Sequence, residues 1–456
     1  MLIPDLLQDQ RWRFSSAFIL FTAVLALFTQ SFLYNFIVPI LSYMLEIRLR
    51  LPPPQTQRYT TAVLTVYGAF STLSAPVVAH FTDKTPDRRT PLLRSFAGCI
   101  VGTTLLALTP SVWALFLGCV IQAVSSSAGW IIAYTTLTDN VEKEHLGKAL
   151  GLAMSFVAAG TISGPVVSGA LLKLAGYWAA WAVPLVVLLI NMVARFVTLE
   201  AHHDAPVQHP LGSDEEQAAL LALRHSYPGT EPPDRFYGVV LRDIRVAVGL
   251  LNTLMFSMIL TGFDSTLPLH LRRIFGWDSL PTGMIFLGLE VPGLLLGPLV
   301  GWLRDRVGLQ YPTTLGWVLV AMLLSLLGVP GQEGFGWAGP ETAGKAIFIA
   351  GTVGIGAAMS LVRGVAMLQV MAVVDDLQLR NMAVFGANGG YSKVVSLEQV
   401  AFSLGTIVGP LLAGSLSEVL GFYYMTYILA VISLGVGLTS FSFLVHKCPA
   451  RTTAEN

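Results

Sequence analysis

The sequence predicts an all-α integral membrane protein with twelve transmembrane helices, arranged as two similar six-helix bundles. Three observations predict this fold: the composition, the number of long apolar runs, and a glycine-proline phrase that recurs half a chain apart. Of the 456 residues, 54% are apolar and 12% are charged, whereas soluble domains carry about 25% charged residues. The low charge content indicates that lipid, and not water, surrounds most of the chain.

The remaining composition narrows the possible partners. The formal net charge is zero and the mean hydropathy is +0.66, so no nucleic-acid partner is indicated. The three cysteines, at 99, 119 and 448, have no metal-ligand or disulfide spacing. We therefore expect no metal and no cofactor. The first apolar run exceeds a signal-peptide core in length and is expected to stay as the first span.

Twelve apolar runs reach the roughly 20 residues that a helix needs to cross a bilayer. They are continuous and do not alternate, which favours helices over barrel strands. The first six lie near residues 16–41, 59–81, 92–109, 111–135, 149–172 and 177–198. The second six lie near residues 246–269, 280–303, 312–330, 343–371, 394–416 and 421–445.

Basic residues predict the orientation. If both termini are cytoplasmic, the inner segments hold 19 of the 27 Lys and Arg residues and the outer loops hold 7. One long polar loop, 199–243, separates an N-terminal bundle (1–198) from a C-terminal bundle (244–456). Its three histidines (His202, His203 and His209) fit a solvated linker better than a metal site.

The repeated phrase relates the two halves of the chain. "GTISGPVVSG" starts at Gly160 in the fifth span, and "GTIVGPLLAG" starts 245 residues later at Gly405 in the eleventh. Small residues every four positions make a flat face on which another helix can pack closely, and proline permits a bend. We expect these helices to lie at the interface between the bundles, through Gly160, Gly164, Pro165, Gly169, Gly405, Gly409 and Pro410.

At this point the sequence resembles the major facilitator superfamily over nearly its whole length. "GWLRDRVG" (301–308) matches the loop motif of that family, and the loop after the second span is a degraded copy. "GTISGPVVSG" resembles the fifth-span motif of drug:proton antiporters, and "TQSFLYNFIVPIL" in the first span resembles the vesicular-amine-transporter-like branch, which is abundant in fungi. The resemblance implies an inner gate, closed by charge contacts of Asp83, Lys84, Asp305 and Arg306.

Four ionisable residues fall within or near the predicted membrane interior: Glu290, Asp264, Arg363 and Glu398. Such residues are functional candidates because a charge in the bilayer is costly. They are predicted to carry proton or charge coupling, to contact cargo, or to form a permanent structural pair such as Glu290 with Arg363. We take Glu290 as the first candidate for the proton site and Asp264 as the second.

The resemblance to amine carriers has gaps at charged positions. Gln30 and Gln399 stand where those carriers have aspartates, and Cys119 stands near the place of an antiporter arginine. Seven polar residues on core-facing spans are predicted to line a cargo cavity, although each alone is explained by packing: Gln30, Tyr34, Asn35, Gln122, Tyr134, Asn252 and Gln369.

The sequence therefore predicts a secondary active transporter. By resemblance it exports a small organic molecule, such as a drug or a secondary metabolite, as a proton antiporter of the plasma membrane or of a vacuolar or vesicular membrane. The alternatives are a uniporter without proton coupling and a transporter-like sensor or receptor. No P-loop or catalytic constellation is present in the sequence, so we expect no enzyme. We expect a monomer in lipid, with protons as the coupling ion.

Overall fold

The computed structural model describes residues 16–84, 89–139, 141, 146–198, 238, 240–332, 334–339, 341–380 and 391–444. Within them, twelve helical segments are long and apolar enough to cross a membrane, which confirms the predicted fold class. The first half contains α1 (Ser16–Tyr43), α2 (Pro53–Lys84), α3 (Arg89–Leu108), α4 (Val112–Asp139), α5 (Leu146–Leu174) and α6 (Tyr177–Val197). The second half contains α7 (Ile244–Phe275), α8 (Ser279–Val307), α9 (Gln310–Leu327), α10 (Thr342–Ser360), α11 (Val365–Arg380), α12 (Tyr391–Val419) and α13 (Phe422–Phe443).

Two spans depart from regular α-helix. The chain after α1 continues as a π-helical turn, Met44–Arg48. The tenth span is divided into α10 and α11, which are separated by four residues. The sequence predicted one continuous run at 343–371, so this break was not anticipated. The predicted linker 199–243 lies almost wholly outside the described residues.

The helices pack mainly within their own half. In the first half α1 packs on α5 and α3 on α4, and in the second half α7 packs on α12 and α9 on α13. Contact between the halves is made chiefly by α5 with α8 and by α2 with α12. The helices α1 and α7 are the most buried of the spans, so they form the centre of the molecule.

The halves meet toward one end. We call the end where α6 finishes and α7 begins the linker end, and the end where α7 finishes and α8 begins the far end. Six polar contacts between described residues of the two halves lie toward the far end. They are Glu46–Arg272, Pro53–Arg273, Lys173–Asp278, Gly169–Ser279, Gln57–Ser265 and Tyr34–Asp264.

Burial along α2 also decreases from the far end toward the linker end. Its far-end part includes the buried residues Gln57, Leu64 and Tyr67, whereas no residue between Ser71 and Val78 is buried. The packing between the halves extends to mid-helix, where a Cβ on Gly68 would lie 3.2 Å from the Thr406 carbonyl oxygen. Within the described residues, the halves therefore pack together at the far end and α2 is less buried toward the linker end.

Candidate functional site

The glycine-proline phrase makes different contacts along its length. A Cβ on Gly164 would lie 2.9 Å from the backbone of α1, in the same half, and Gly160 also faces α1. Gly169 instead faces the backbone of α8 in the other half, where its carbonyl accepts a hydrogen bond of 3.0 Å from Ser279 Oγ. Although the whole face was expected to pack on the opposite half, Gly160 and Gly164 do not face it, whereas Gly169 does.

The second copy of the phrase repeats this arrangement. Gly405 and Gly409 face α7 in their own half, and Gly414 faces Thr61 of α2 across the interface. The repeat extends to a glycine seven residues after each copy, Gly176 or Gly421, which has a φ of 84° or 89°, in a region that favours glycine. The repeat therefore encodes three tasks: packing within a half, packing between halves, and a tight turn.

A carboxylate joins the halves at the centre of the molecule. Asp264 on α7 is 7% exposed, and its Oδ2 accepts a hydrogen bond of 3.3 Å from the Tyr34 hydroxyl on α1. The Tyr34 ring packs against Tyr67 with centroids 5.0 Å apart. Beside this contact, Gln57 Nε2 donates a hydrogen bond of 2.9 Å to the Ser265 carbonyl. Among the described residues Asp264 forms no ion pair, so no cation offsets the cost of burying its charge.

A second charged site lies within the C-terminal half. Arg363 NH2 lies 3.3 Å from Glu290 Oε2, and the guanidinium stands 5.6 Å from the centroid of the Phe256 ring. The side chain of Glu290 is 12% exposed and that of Arg363 is 45% exposed. The small cavity around this pair is lined by Phe256, Leu260, Leu289, Glu290, Gly293, Gly356, Met359, Ser360 and Arg363.

The two sites are neighbours on one helix face. Phe256, Leu260 and Asp264 are four residues apart on α7, so they lie on the same side of that helix. The first two line the cavity, and Asp264 lies one turn nearer the far end. The molecule thus places a buried carboxylate beside a cavity that contains an ion pair and apolar side chains.

Comparison with known proteins decides the family. A family model described as Major Facilitator Superfamily matches residues 19–383. The chain belongs to this superfamily. An MFS-type transporter ppzB from Metarhizium rileyi is 26% identical, over 95% of this chain and 96% of the relative. A tetracycline resistance protein, class G, from Vibrio anguillarum is 25% identical over 64% and 73% of the two chains.

Other relatives agree on the fold. The synaptic vesicular amine transporter of Rattus norvegicus is 22% identical over 79% of this chain and 61% of its own length. The crystal structure of the nucleoside transporter NupG superposes with a TM-score of 0.67 at 11% identity, covering 93% of this chain and 98% of that one. The family and these relatives are transporters, so this major facilitator protein is a transporter and not an enzyme.

Several residues predicted to line the cavity of this transporter instead form hydrogen bonds between helices. Asn252 is fully buried. It accepts a hydrogen bond of 2.6 Å from Trp317 Nε1 on α9 and donates one of 3.0 Å to Ser440 Oγ on α13. Gln122 donates 3.2 Å to Thr103 Oγ1 within the first half. The cavity prediction is wrong for both residues, because these amides satisfy neighbouring helices.

Of the other predicted cavity residues, two are buried and three are not. Gln30 is 3% exposed beside Cys99, and Gln369 is fully buried, so neither faces a cavity. Tyr34 lies at the central contact described above. Asn35, which donates to the Ser31 carbonyl of its own helix, and Tyr134 are both half-buried.

Only two of the four predicted gate residues have side chains that the structure describes. The side chains of Asp83 and Lys84 lie outside the described residues. Asp305 is exposed and makes no ion pair within the described part of the chain. Arg306 lies 4.4 Å above the Trp302 ring of its own helix. The latch stays a prediction, as does a role for Glu398, which is half-buried near the start of α12.

One residue that sequence analysis missed stands directly before the predicted latch. Arg304 NH1 donates 2.9 Å to the Arg363 carbonyl, and NH2 donates 2.8 Å to the Leu361 carbonyl. These carbonyls belong to the break between α10 and α11. The signal for this residue was present as an additional basic side chain between Leu303 and Asp305 in "GWLRDRVG", but nothing in the sequence indicated its partner.

Proposed function

We propose that this transporter exports a small organic molecule in exchange for protons, by alternating between the conformation described here and one that is open at the far end. The linker end would face the cytoplasm, since the segments at that end carry 19 of the 27 basic residues. In this orientation the present conformation accepts cargo from the cytoplasm and holds the outer side closed.

The Tyr34–Asp264 contact is the observation that carries the proposal. Each half contributes one partner, so opening the far end must separate the two side chains. A charged carboxylate accepts a stronger hydrogen bond than a neutral one, but one hydrogen bond from a neutral partner does not offset the cost of burying an unpaired charge. Closure of the far end therefore favours the protonated Asp264, and a proton that arrives from outside through the open far end favours closure. This link between protonation and conformation is what an antiporter requires.

The partners of the two carboxylates support Asp264, the second proton candidate, over Glu290, the first. Glu290 already has an ion-pair partner, Arg363, at 3.3 Å. Asp264 has a neutral partner in Tyr34. We therefore assign the proton to Asp264. The Glu290–Arg363 pair, with the apolar residues around it, serves as a contact for polar groups of the cargo.

The names of two relatives guide the choice of cargo. One is a tetracycline resistance protein and another is a vesicular amine transporter, which supports a drug-like or amine-like small molecule. Facilitated diffusion without protons is the second candidate, because Gln30 and Gln399 occupy positions where the resembling amine carriers have acids. We place the protein in the plasma membrane as a monomer.

Transport into proteoliposomes with an acidic lumen tests this proposal. Tetracycline and tryptamine serve as probes, and molecules whose far end faces the lumen should concentrate a transported probe there until a protonophore is added. Asp264→Asn should abolish concentration but keep exchange of the probe across the membrane. Flux that merely equilibrates in the wild type would establish facilitated diffusion, and saturable binding without flux would establish a sensor.

A further inference from the structure

The tenth span contains a break that needs backbone compensation. α10 ends at Ser360 and α11 begins at Val365, and Gly364 between them has a φ of 74°. In a continuous helix the carbonyls of Leu361 and Arg363 would accept from the amides of Val365 and Met367, four residues on. Here the Val365 amide donates to the Val362 carbonyl instead. Backbone groups freed within a membrane span need other partners.

Arg304 supplies those partners from the neighbouring helix. Its NH1 and NH2 groups donate to the Arg363 and Leu361 carbonyls at 2.9 and 2.8 Å. One planar guanidinium thus replaces two helix hydrogen bonds, a geometry that the single ammonium group of lysine does not reproduce. Gly364 supplies the left-handed backbone, and nothing lies within 4 Å of a Cβ built on it.

We infer that Arg304 is a positioning residue, which holds the tenth span in its broken form and thereby keeps Arg363 against Glu290. Two side chains of α8 contact Arg363: Arg304 donates a hydrogen bond to its backbone carbonyl, and Glu290 forms an ion pair with its guanidinium. Closing the break would restore regular helix phase between Met359 and Met367. The Arg363 side chain would then leave the direction in which it now meets Glu290. The break is therefore a two-state element, and its open form depends on Arg304.

Hydrogen exchange of the full-length protein in detergent tests the first step. Arg304→Met frees the two carbonyls for the amides of Val365 and Met367, so exchange in the segment 365–371 should slow by about tenfold. Gly364→Ala should slow the same amides, because alanine disfavours the left-handed backbone. Arg304→Lys should give an intermediate rate. Gly297→Ala is the matched control: it adds the same methyl group in open space on α8 and should change nothing.

The combination of variants distinguishes a shared break from general loosening. If Arg304 and Gly364 act on one element, the double variant should exchange no more slowly than the stronger single variant. Faster exchange in Arg304→Met would contradict the inference, since it would mean that the segment frays when it loses its partner. Unchanged exchange would contradict it as well.

A thermal-unfolding cycle tests the effect on Arg363. In the wild-type background, the effects of Arg363→Met and Glu290→Gln on stability should be non-additive, because the two side chains interact. In the Arg304→Met background the two effects should become additive. Coupling that persists without Arg304 would overturn the positioning role. These measurements need no cargo, so their failure is separate from failure of the proposed transport function.

Discussion

Gly169 is the residue of the repeated phrase at which a single methyl group should change the conformation of the transporter. It lies at the far end of α5, and its carbonyl accepts the hydrogen bond from Ser279 of α8. A Cβ at Gly169 would lie 2.9 Å from the Ser279 carbonyl carbon and 3.3 Å from the Leu280 Cα. These atoms are backbone atoms of the other half, so no side-chain rotation can relieve the overlap.

The size of the effect follows from this geometry. To reach ordinary contact, the far ends of α5 and α8 must separate by about 1 Å, and overpacking of this kind costs roughly 1–3 kcal/mol. The cost applies only to the conformation in which the far end is closed. Gly169→Ala should therefore shift the equilibrium toward far-end opening by roughly 5- to 150-fold.

Distances between nitroxide labels at Trp113 and Trp337 report this equilibrium. Both side chains are exposed, at 84% and 59%, and they lie at the far end on opposite halves. Gly169→Ala should increase the population with longer distances, while Gly297→Ala, which meets nothing within 4 Å, should not. A folded Gly169→Ala protein with the wild-type distance distribution would refute the argument that this glycine closes the interface.

Three further predictions concern stability and the far-end contacts. Asn252→Ala should lower the free energy of unfolding by roughly 1–3 kcal/mol, measured by denaturation in detergent, because Trp317 loses its acceptor; an unchanged value would restore a cavity role for Asn252. Gly164→Leu should destabilise the N-terminal half as well as abolish transport, since its side chain would meet the α1 backbone; a normal melting temperature would contradict this. Glu46→Arg and Arg272→Glu should each lengthen the far-end distance, and the double exchange should restore it if their ion pair holds the far end.

Much of the fold could be predicted because the bilayer constrains it strongly. Length and apolarity alone define a span, and the predicted run at 421–445 corresponds to Phe422–Phe443 in the structure. The break at Gly364 escaped prediction, since the run 343–371 has the length and overall apolarity of a single span despite Arg363. Likewise, the spacing of Gly160 and Gly164 predicts a close contact, but spacing cannot name the helix on the other side.

The sequence predicted only those site residues whose charge is costly to bury in a membrane. Asp264, Glu290 and Arg363 stood out because a buried charge requires an explanation, and the structure places all three near the centre. Amides are cheaper to bury when a neighbouring helix satisfies them, as Asn252 and Gln122 illustrate. A sequence does not state which polar residue on another helix will be the partner, so cavity and packing roles look the same.

The central claim is that protonation of Asp264 controls which end of the transporter is open, and one measurement tests it without any cargo. The far-end distance between labels at positions 113 and 337 is recorded across a pH series from 8 to 5, for the wild type and for Asp264→Asn. At high pH the carboxylate is charged and costly to bury, so the long distance should dominate, and the short distance should grow as the pH falls. Asp264→Asn should show the low-pH distribution at every pH. A wild-type distribution that is independent of pH, or a variant that still responds to pH, would contradict the claim.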